Sequence, residues 1–139
     1  PHSSEEEAAC ACDVIVVRDL LADRPVCRIQ SASSFLHFDE SGALLVSAVR
    51  DGQSIHVYSL PRGTLLYKLE RGLRPARIVS AGFSPDRRWL AVASSRGTTH
   101  VFAVDPSGAK PSMLTHGQNH PPLNPQTAST SSSLSSWLI

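Results

Sequence analysis

The chain has 139 residues, 41% of them hydrophobic and 6% aromatic, with 13 Lys and Arg against 12 Asp and Glu for a net charge of +1. That supplies one domain-sized core of Val, Leu and Ala rather than of aromatic rings. No apolar run nears the roughly 20 residues of a membrane-spanning helix, and no basic and apolar leader opens the chain, so any membrane contact is expected to be peripheral only.

The even net charge hides a gradient. Residues 1–61 hold four Arg or Lys against nine Asp or Glu, a sum of −5, whereas residues 62–110 hold nine against three, a sum of +6. A basic second half suits anionic lipid head groups, nucleic acid or an acidic partner, and equally a solvated surface with no specific ligand. Cys10, Cys12 and Cys27 cannot all pair, and Cys10-Ala11-Cys12 has no second metal-binding pair, so free thiols in a reducing cytosol are expected.

In chain order, residues 1–12, with Glu5-Glu6-Glu7, read as a disordered acidic lead-in. Residues 13 to about 30 read as the last two strands of one sheet. Four strands follow at Ser34 to Phe38, Leu44 to Val49, Ser54 to Leu60 and Leu65 to Leu69, with turns at Asp39-Glu40-Ser41-Gly42, Arg50-Asp51-Gly52-Gln53 and Pro61-Arg62-Gly63. Three more are expected at Ile78 to Phe83, Trp89 to Ser94 and Thr99 to Val104, with Ser84-Pro85-Asp86-Arg87 turning the first hairpin. Leu44–Val49 and Trp89–Ser94 are almost continuously apolar, which predicts strands covered on both faces, with Trp89 packed between sheets. Residues 106–139 read as a Pro/Ser-rich loop or tail that stays mobile as far as 136, with Trp137-Leu138-Ile139 able to start another strand.

These elements repeat. Phe38, Leu45, Ala48 and Gly52 recur 45 residues later as Phe83, Leu90, Ala93 and Gly97, and His56, Val57 and Tyr58 recur 44 residues later as His100, Val101 and Phe102. Ile15 to Leu20 align with Ile55 to Leu60 at an offset of 40. A period in the forties made of short β-runs and turns marks a WD40-like β-propeller, since one four-stranded blade cannot bury its faces alone. The fold class is therefore all-β, with residues 13–105 forming about two and a half blades of a propeller of about seven. A piece of that size is expected to come from inside a longer protein.

Chemistry concentrates in Leu69-Glu70-Arg71-Gly72 and Ser94-Ser95-Arg96-Gly97-Thr98-Thr99-His100. Read as residues alone, Arg71 is a solvated turn arginine or a partner of Glu70. His100 and His56 share one strand position, which favours a structural role within the blade. The sequence has no Gly-x-Ser-x-Gly elbow and its six histidines show no ligand spacing, so catalysis, a metal and a cofactor are not expected. Nucleic acid lacks a recognition motif and interleaved aromatics.

The two motifs resemble those of the PROPPINs, the phosphoinositide-binding propellers of autophagy, over about Ser34 to Leu114. Leu66 to Gly72 and Arg96 to Phe102 with Asp105-Pro106-Ser107-Gly108 are most similar to the breast-carcinoma-amplified-sequence-3 branch and its plant autophagy-related members. The resemblance implies two arginines pointing to opposite sides of a turn, each serving one lipid pocket. Glu70 stands at the first, where a carboxylate repels phosphate, so that pocket is expected to be lost. Arg71 stands at the second, with Ser94, Thr98, Thr99 and His100 as its phosphoinositide-binding shell, and it should lie beside His100 at one inter-blade edge.

The function implied is that of a non-catalytic adaptor, cytoplasmic and recruited peripherally to autophagic or endosomal membranes. Its expected partners are phosphoinositide lipids, phosphatidylinositol 3-phosphate first, and autophagy-related proteins. The alternative is a WD40 scaffold that binds proteins without lipid.

Overall fold

The computed structural model describes residues 13–117, and within them the chain builds three antiparallel sheets in sequence order. Sheet 1 holds β1 (Val14–Asp19) and β2 (Arg24–Gln30). Sheet 2 holds β3 (Ser33–Phe38), β4 (Leu44–Val49), β5 (Ser54–Ser59) and β6 (Thr64–Glu70), each paired with the next. Sheet 3 holds β7 (Ile78–Phe83), β8 (Trp89–Ser94) and β9 (Thr99–Ala103). The acidic lead-in, the serine clusters and Trp137-Leu138-Ile139 lie outside the described residues.

Register explains the slip from 45 to 44 in the repeat. Ala48 pairs with Ile55 and Ala93 with Thr99, so the stretch between the last paired residues of β8 and β9 is one residue shorter than that between β4 and β5. Everything before that stretch keeps one offset and everything after it the other.

Strand alternation sends each face to a different neighbour. Ile55, Val57, Tyr67 and Leu69 point toward sheet 3 and join Ile78, Leu90, Val92 and Val104 in the larger core. Tyr58 and Leu45 point the other way and meet Ile15 and Ile29 of sheet 1. Burying a side chain of this size contributes about 1.5–3 kcal/mol, so these two interfaces hold the sheets together.

The two apolar strands differ in what covers them. On β4 every residue from Leu44 to Ala48 is buried, because sheets 1 and 3 flank it. On β8 burial alternates: Leu90 and Val92 are 0% exposed while Trp89 is 40% exposed. Trp89 does not sit between two described sheets; its ring stands edge-on to His116 at 5.1 Å. Among the described residues only sheet 2 packs on sheet 3, so one face of β8 has no sheet over it.

After β9 the chain runs back across the rim. The Tyr67 hydroxyl accepts from the Asp105 amide at 3.0 Å and donates to the Ala109 carbonyl, and Gly108 packs on Leu66. A short turn of helix, α1 (Met113–His116), follows, with Ser112 as its cap. His116 Nε2 reaches the carbonyls of Val104 at 2.8 Å and Arg88 at 3.0 Å. Residues 105–117 thus form a strap fixed at both ends, while Met113 and Leu114 between the anchors are 80% and 91% exposed.

Candidate phosphate-binding site at the edge between sheets 2 and 3

Three segments meet at one end of sheets 2 and 3: the turn before β5, the connector 71–77 between β6 and β7, and the turn before β9. The connector is stitched to both turns. The Ala76 amide donates to the Asp51 carbonyl at 2.8 Å, Gln53 Nε2 to the Leu73 carbonyl at 2.6 Å, and the Ser95 amide to the Arg77 carbonyl at 2.8 Å. Gly52 makes the close approach possible. Its φ is +64°, and a Cβ there would lie 1.9 Å from the Ala76 carbonyl oxygen.

Arg71 is neither solvated freely nor paired with Glu70. Its amide donates to the Gln53 carbonyl at 2.8 Å, its Nε to the Gly52 carbonyl at 2.7 Å, and its Nη2 to the Arg74 carbonyl. Two of the five guanidinium N–H groups are spent on the backbone, and three have no partner among the described residues and are held in a fixed orientation. The carbonyls cancel none of the positive charge. A guanidinium held this way has already lost the rotamer freedom that binding an anion would otherwise cost.

Glu70 faces away from this arrangement, as the alternation of β6 requires. Its carboxylate accepts from the Ser54 hydroxyl at 3.0 and 3.1 Å and stands 3.7 Å from the Lys68 ammonium. His56 shares that face. Burial lowers its pKa below the usual histidine value, the Lys68 charge lowers it further, and Glu70 works in the opposite sense. Where Arg71 offers donors, the Glu70 side offers a carboxylate already occupied by local donors.

Sheet 3 supplies the rest of the Arg71 site. Ser94, nearly fully buried, shares a hydrogen bond of 2.9 Å with the Thr98 hydroxyl. His100 lies on the face of β9 turned toward sheet 2, with Phe102, which joins the larger core. Burial lowers the His100 pKa, and the nearby Arg71 charge adds to the lowering. Of the five residues expected at this site, Arg71, Ser94, Thr98 and His100 come to one edge. Thr99 does not: it is exposed on the opposite face of β9, because neighbours along a strand alternate.

Sequence reasoning missed three contributors. The Gly52 carbonyl anchors Arg71, and its signal was a turn glycine repeated as Gly97. The connector arginines surround the edge, with Arg96 Nε donating to the Pro75 carbonyl at 3.0 Å and Arg74 and Arg77 exposed. Phe102 stacks on His100 with centroids 6.3 Å apart. Among the described residues no three His, Cys, Asp or Glu lie together in a metal-binding group, and no helix is long and apolar enough to cross a membrane.

The profile of the BCAS3 WD40-repeat family matches residues 17–123. The chain belongs to that family. Among curated relatives, the Drosophila melanogaster breast carcinoma-amplified sequence 3 homolog is 40% identical over 94 residues, covering 61% of this chain and 8% of the relative. Autophagy-related protein 18g of Arabidopsis thaliana is 33% identical over 116 residues, covering 69% of this chain and 12% of the relative. Autophagy-related protein 18 of Schizosaccharomyces pombe is 33% identical over 93 residues, covering 65% of this chain and 25% of the relative. The chain therefore spans a quarter or less of these relatives.

Among solved structures, Kluyveromyces lactis Hsv2 with a complete loop 6CD matches with a TM-score of 0.54 at 28% identity, over 59% of this chain and 27% of that one. KlAtg21, solved in complex with the coiled coil of AgAtg16, matches with a TM-score of 0.58 at 24% identity over 73% of this chain and 34% of that one, a likeness of fold alone. The BCAS3-type chain is thus part of a PROPPIN-like WD40 propeller, as its repeat and its two motifs imply.

Proposed function

We propose that the edge between sheets 2 and 3 binds a phosphoinositide head group, phosphatidylinositol 3-phosphate first, and that the protein is a non-catalytic adaptor of autophagy recruited from the cytoplasm to membrane surfaces. The observation that carries the reading is Arg71. Its guanidinium is locked by the Gly52 and Arg74 carbonyls, keeps three N–H groups without a partner among the described residues, and lies near enough to His100 for its charge to act on the imidazole. Exposed Arg74, Arg77 and Arg96 around this edge raise the local concentration of anions. Relatives that carry autophagy in their names support the cellular setting and protein partners from the same process.

A second reading, a scaffold binding proteins only, is favoured by Glu70, since its carboxylate occupies the place where the resemblance implies a lipid-binding arginine. Flotation of the intact protein with vesicles carrying each phosphoinositide separates the two. The lipid reading expects selectivity for a monophosphorylated head group and, for Arg71→Ala, loss of a charge-assisted contact of about 1.5–3 kcal/mol, tenfold or more in affinity. Unchanged flotation of Arg71→Ala together with lost capture of an autophagy protein partner would transfer the function to the scaffold reading.

A further inference from the structure

The two sister histidines differ in one contact. In sheet 2 the Tyr58 hydroxyl lies 3.3 Å from His56 Nδ1. In sheet 3 the repeat puts Phe102 where Tyr58 stands, and a phenyl ring has no hydroxyl to offer. His100 Nδ1 is accordingly buried with no hydrogen-bond partner among the described residues, while the Phe102 ring lies nearly parallel to the imidazole, 17° between planes. A buried polar atom without a partner is uncommon and destabilising, and it invites a functional explanation.

We propose that Phe102 makes His100 the proton-carrying contact of this site, so that a phosphate monoester is bound together with a proton. The inference rests on the phosphoinositide reading above and specifies the ligand chemistry of the same edge.

The charges around His100 set the direction. Arg71, from the connector after β6, is the cation beside it, and it lowers the histidine pKa in addition to burial. From sheet 3, Ser94 and Thr98 are uncharged and bonded to each other. Glu70 faces sheet 1 and pairs with Ser54. Tyr67, on the sheet 3 side of β6, gives its hydroxyl to the strap at Asp105 and Ala109, at the far end of the strand. Among the described residues no carboxylate offsets Arg71 at the imidazole, so burial and the Arg71 charge both favour the neutral ring while the site is empty.

A phosphate monoester reverses the balance. It brings a charge of about −1.5 to −2 near neutral pH, offsets Arg71, and favours the imidazolium. The His100 pKa is then lower in the empty site than in the complex, so binding takes up one proton from solvent between those two values. Affinity rises as pH falls through that window, by at most about tenfold per pH unit, and levels off below it. A carboxylate or a phosphodiester carries a single charge and gains less. No covalent bond forms or breaks.

The test measures binding of the intact protein to phosphatidylcholine vesicles carrying phosphatidylinositol 3-phosphate, between roughly pH 7.5 and roughly pH 5.5, a span that covers histidine titration. Phosphatidylserine vesicles of matched charge and the soluble head group alone are run beside it. His100→Gln reports the titration of the lipid itself, and the ratio of wild-type to His100→Gln affinity should grow several-fold on acidification for both phosphate monoesters and stay flat for phosphatidylserine. Phe102→Tyr should move the rise to higher pH, because a hydroxyl can accept from Nδ1–H and stabilise the imidazolium before the lipid arrives. Parallel wild-type and His100→Gln profiles, or a Phe102→Tyr profile superimposed on wild type, would overturn the inference while leaving lipid binding in place. Absence of binding at every pH would overturn the lipid reading and this inference with it.

Discussion

Replacing Gly52 by Ala tests the geometry that fixes Arg71, and Gly42→Ala in the same sheet is its control. Both glycines have left-handed backbone, with φ of +64° and +73°. Each substitution therefore carries the intrinsic cost of an L side chain there, about 1–2 kcal/mol. Around Gly42 nothing lies within 4 Å of the added Cβ, so the cost ends there.

At Gly52 the Cβ would meet the Ala76 carbonyl oxygen at 1.9 Å where 3.4 Å is ordinary contact, so the connector would have to retreat by about 1.5 Å. That retreat breaks the hydrogen bond from the Ala76 N–H to the Asp51 carbonyl and pulls the Gly52 carbonyl from Arg71 Nε, hydrogen bonds of 2.8 and 2.7 Å. At about 0.5–1.5 kcal/mol for each bond, the total loss for Gly52→Ala is about 2–5 kcal/mol, against about 1–2 kcal/mol for Gly42→Ala. Urea unfolding at equal m-values measures the difference, and amide exchange at Arg71 and Ala76 should accelerate only in Gly52→Ala. Equal destabilisation by the two substitutions would refute the claim that the connector is seated on Gly52.

Two further outcomes follow from the same contacts. Glu70→Arg removes a repulsive carboxylate whose partners are the exposed Lys68 and Ser54, so stability should change by less than about 1 kcal/mol while vesicle binding rises or a second site titrates; unchanged stoichiometry and affinity in calorimetry would count against a latent pocket on that face. Asp39 has its pKa lowered: burial works to raise it, but the Ser41 hydroxyl, the Leu44 and Ser41 amides and the Arg87 charge together prevail. A depressed folded-state pKa contributes stability above the unfolded value of about 3.9 that is lost as pH falls through the folded value, so acid unfolding of Asp39→Asn should depend less steeply on pH in that range than wild type.

Much of the fold was legible in the residues. The repeat returned Leu44–Val49, Ile78–Phe83 and Trp89–Ser94 with the bounds the structure gives them, because a blade's hairpins are local and their turn residues interrupt the apolar alternation where the strands end. The offset between 45 and 44 already contained the shorter turn before β9. It also contained the equivalence of His56 with His100 and of Tyr58 with Phe102, though not the loss of a hydrogen bond that the second exchange entails.

The tertiary structure decided the contacts between segments distant along the chain. Arg71 could be assigned to a turn from its neighbours, but its bonds go to carbonyls of Gly52, from another turn, and Arg74, and sequence pattern is silent about carbonyls because every residue has one. Thr99 shares a motif with Thr98 and His100, yet the pleat sends it to the other face once the strand is formed. Trp89 reads as core by type, and only the return of the strap brings His116 against its ring. Periodicity reports which face of a strand is buried; which group from another segment arrives to cover it depends on how the blades and the strap pack, and that is set in three dimensions.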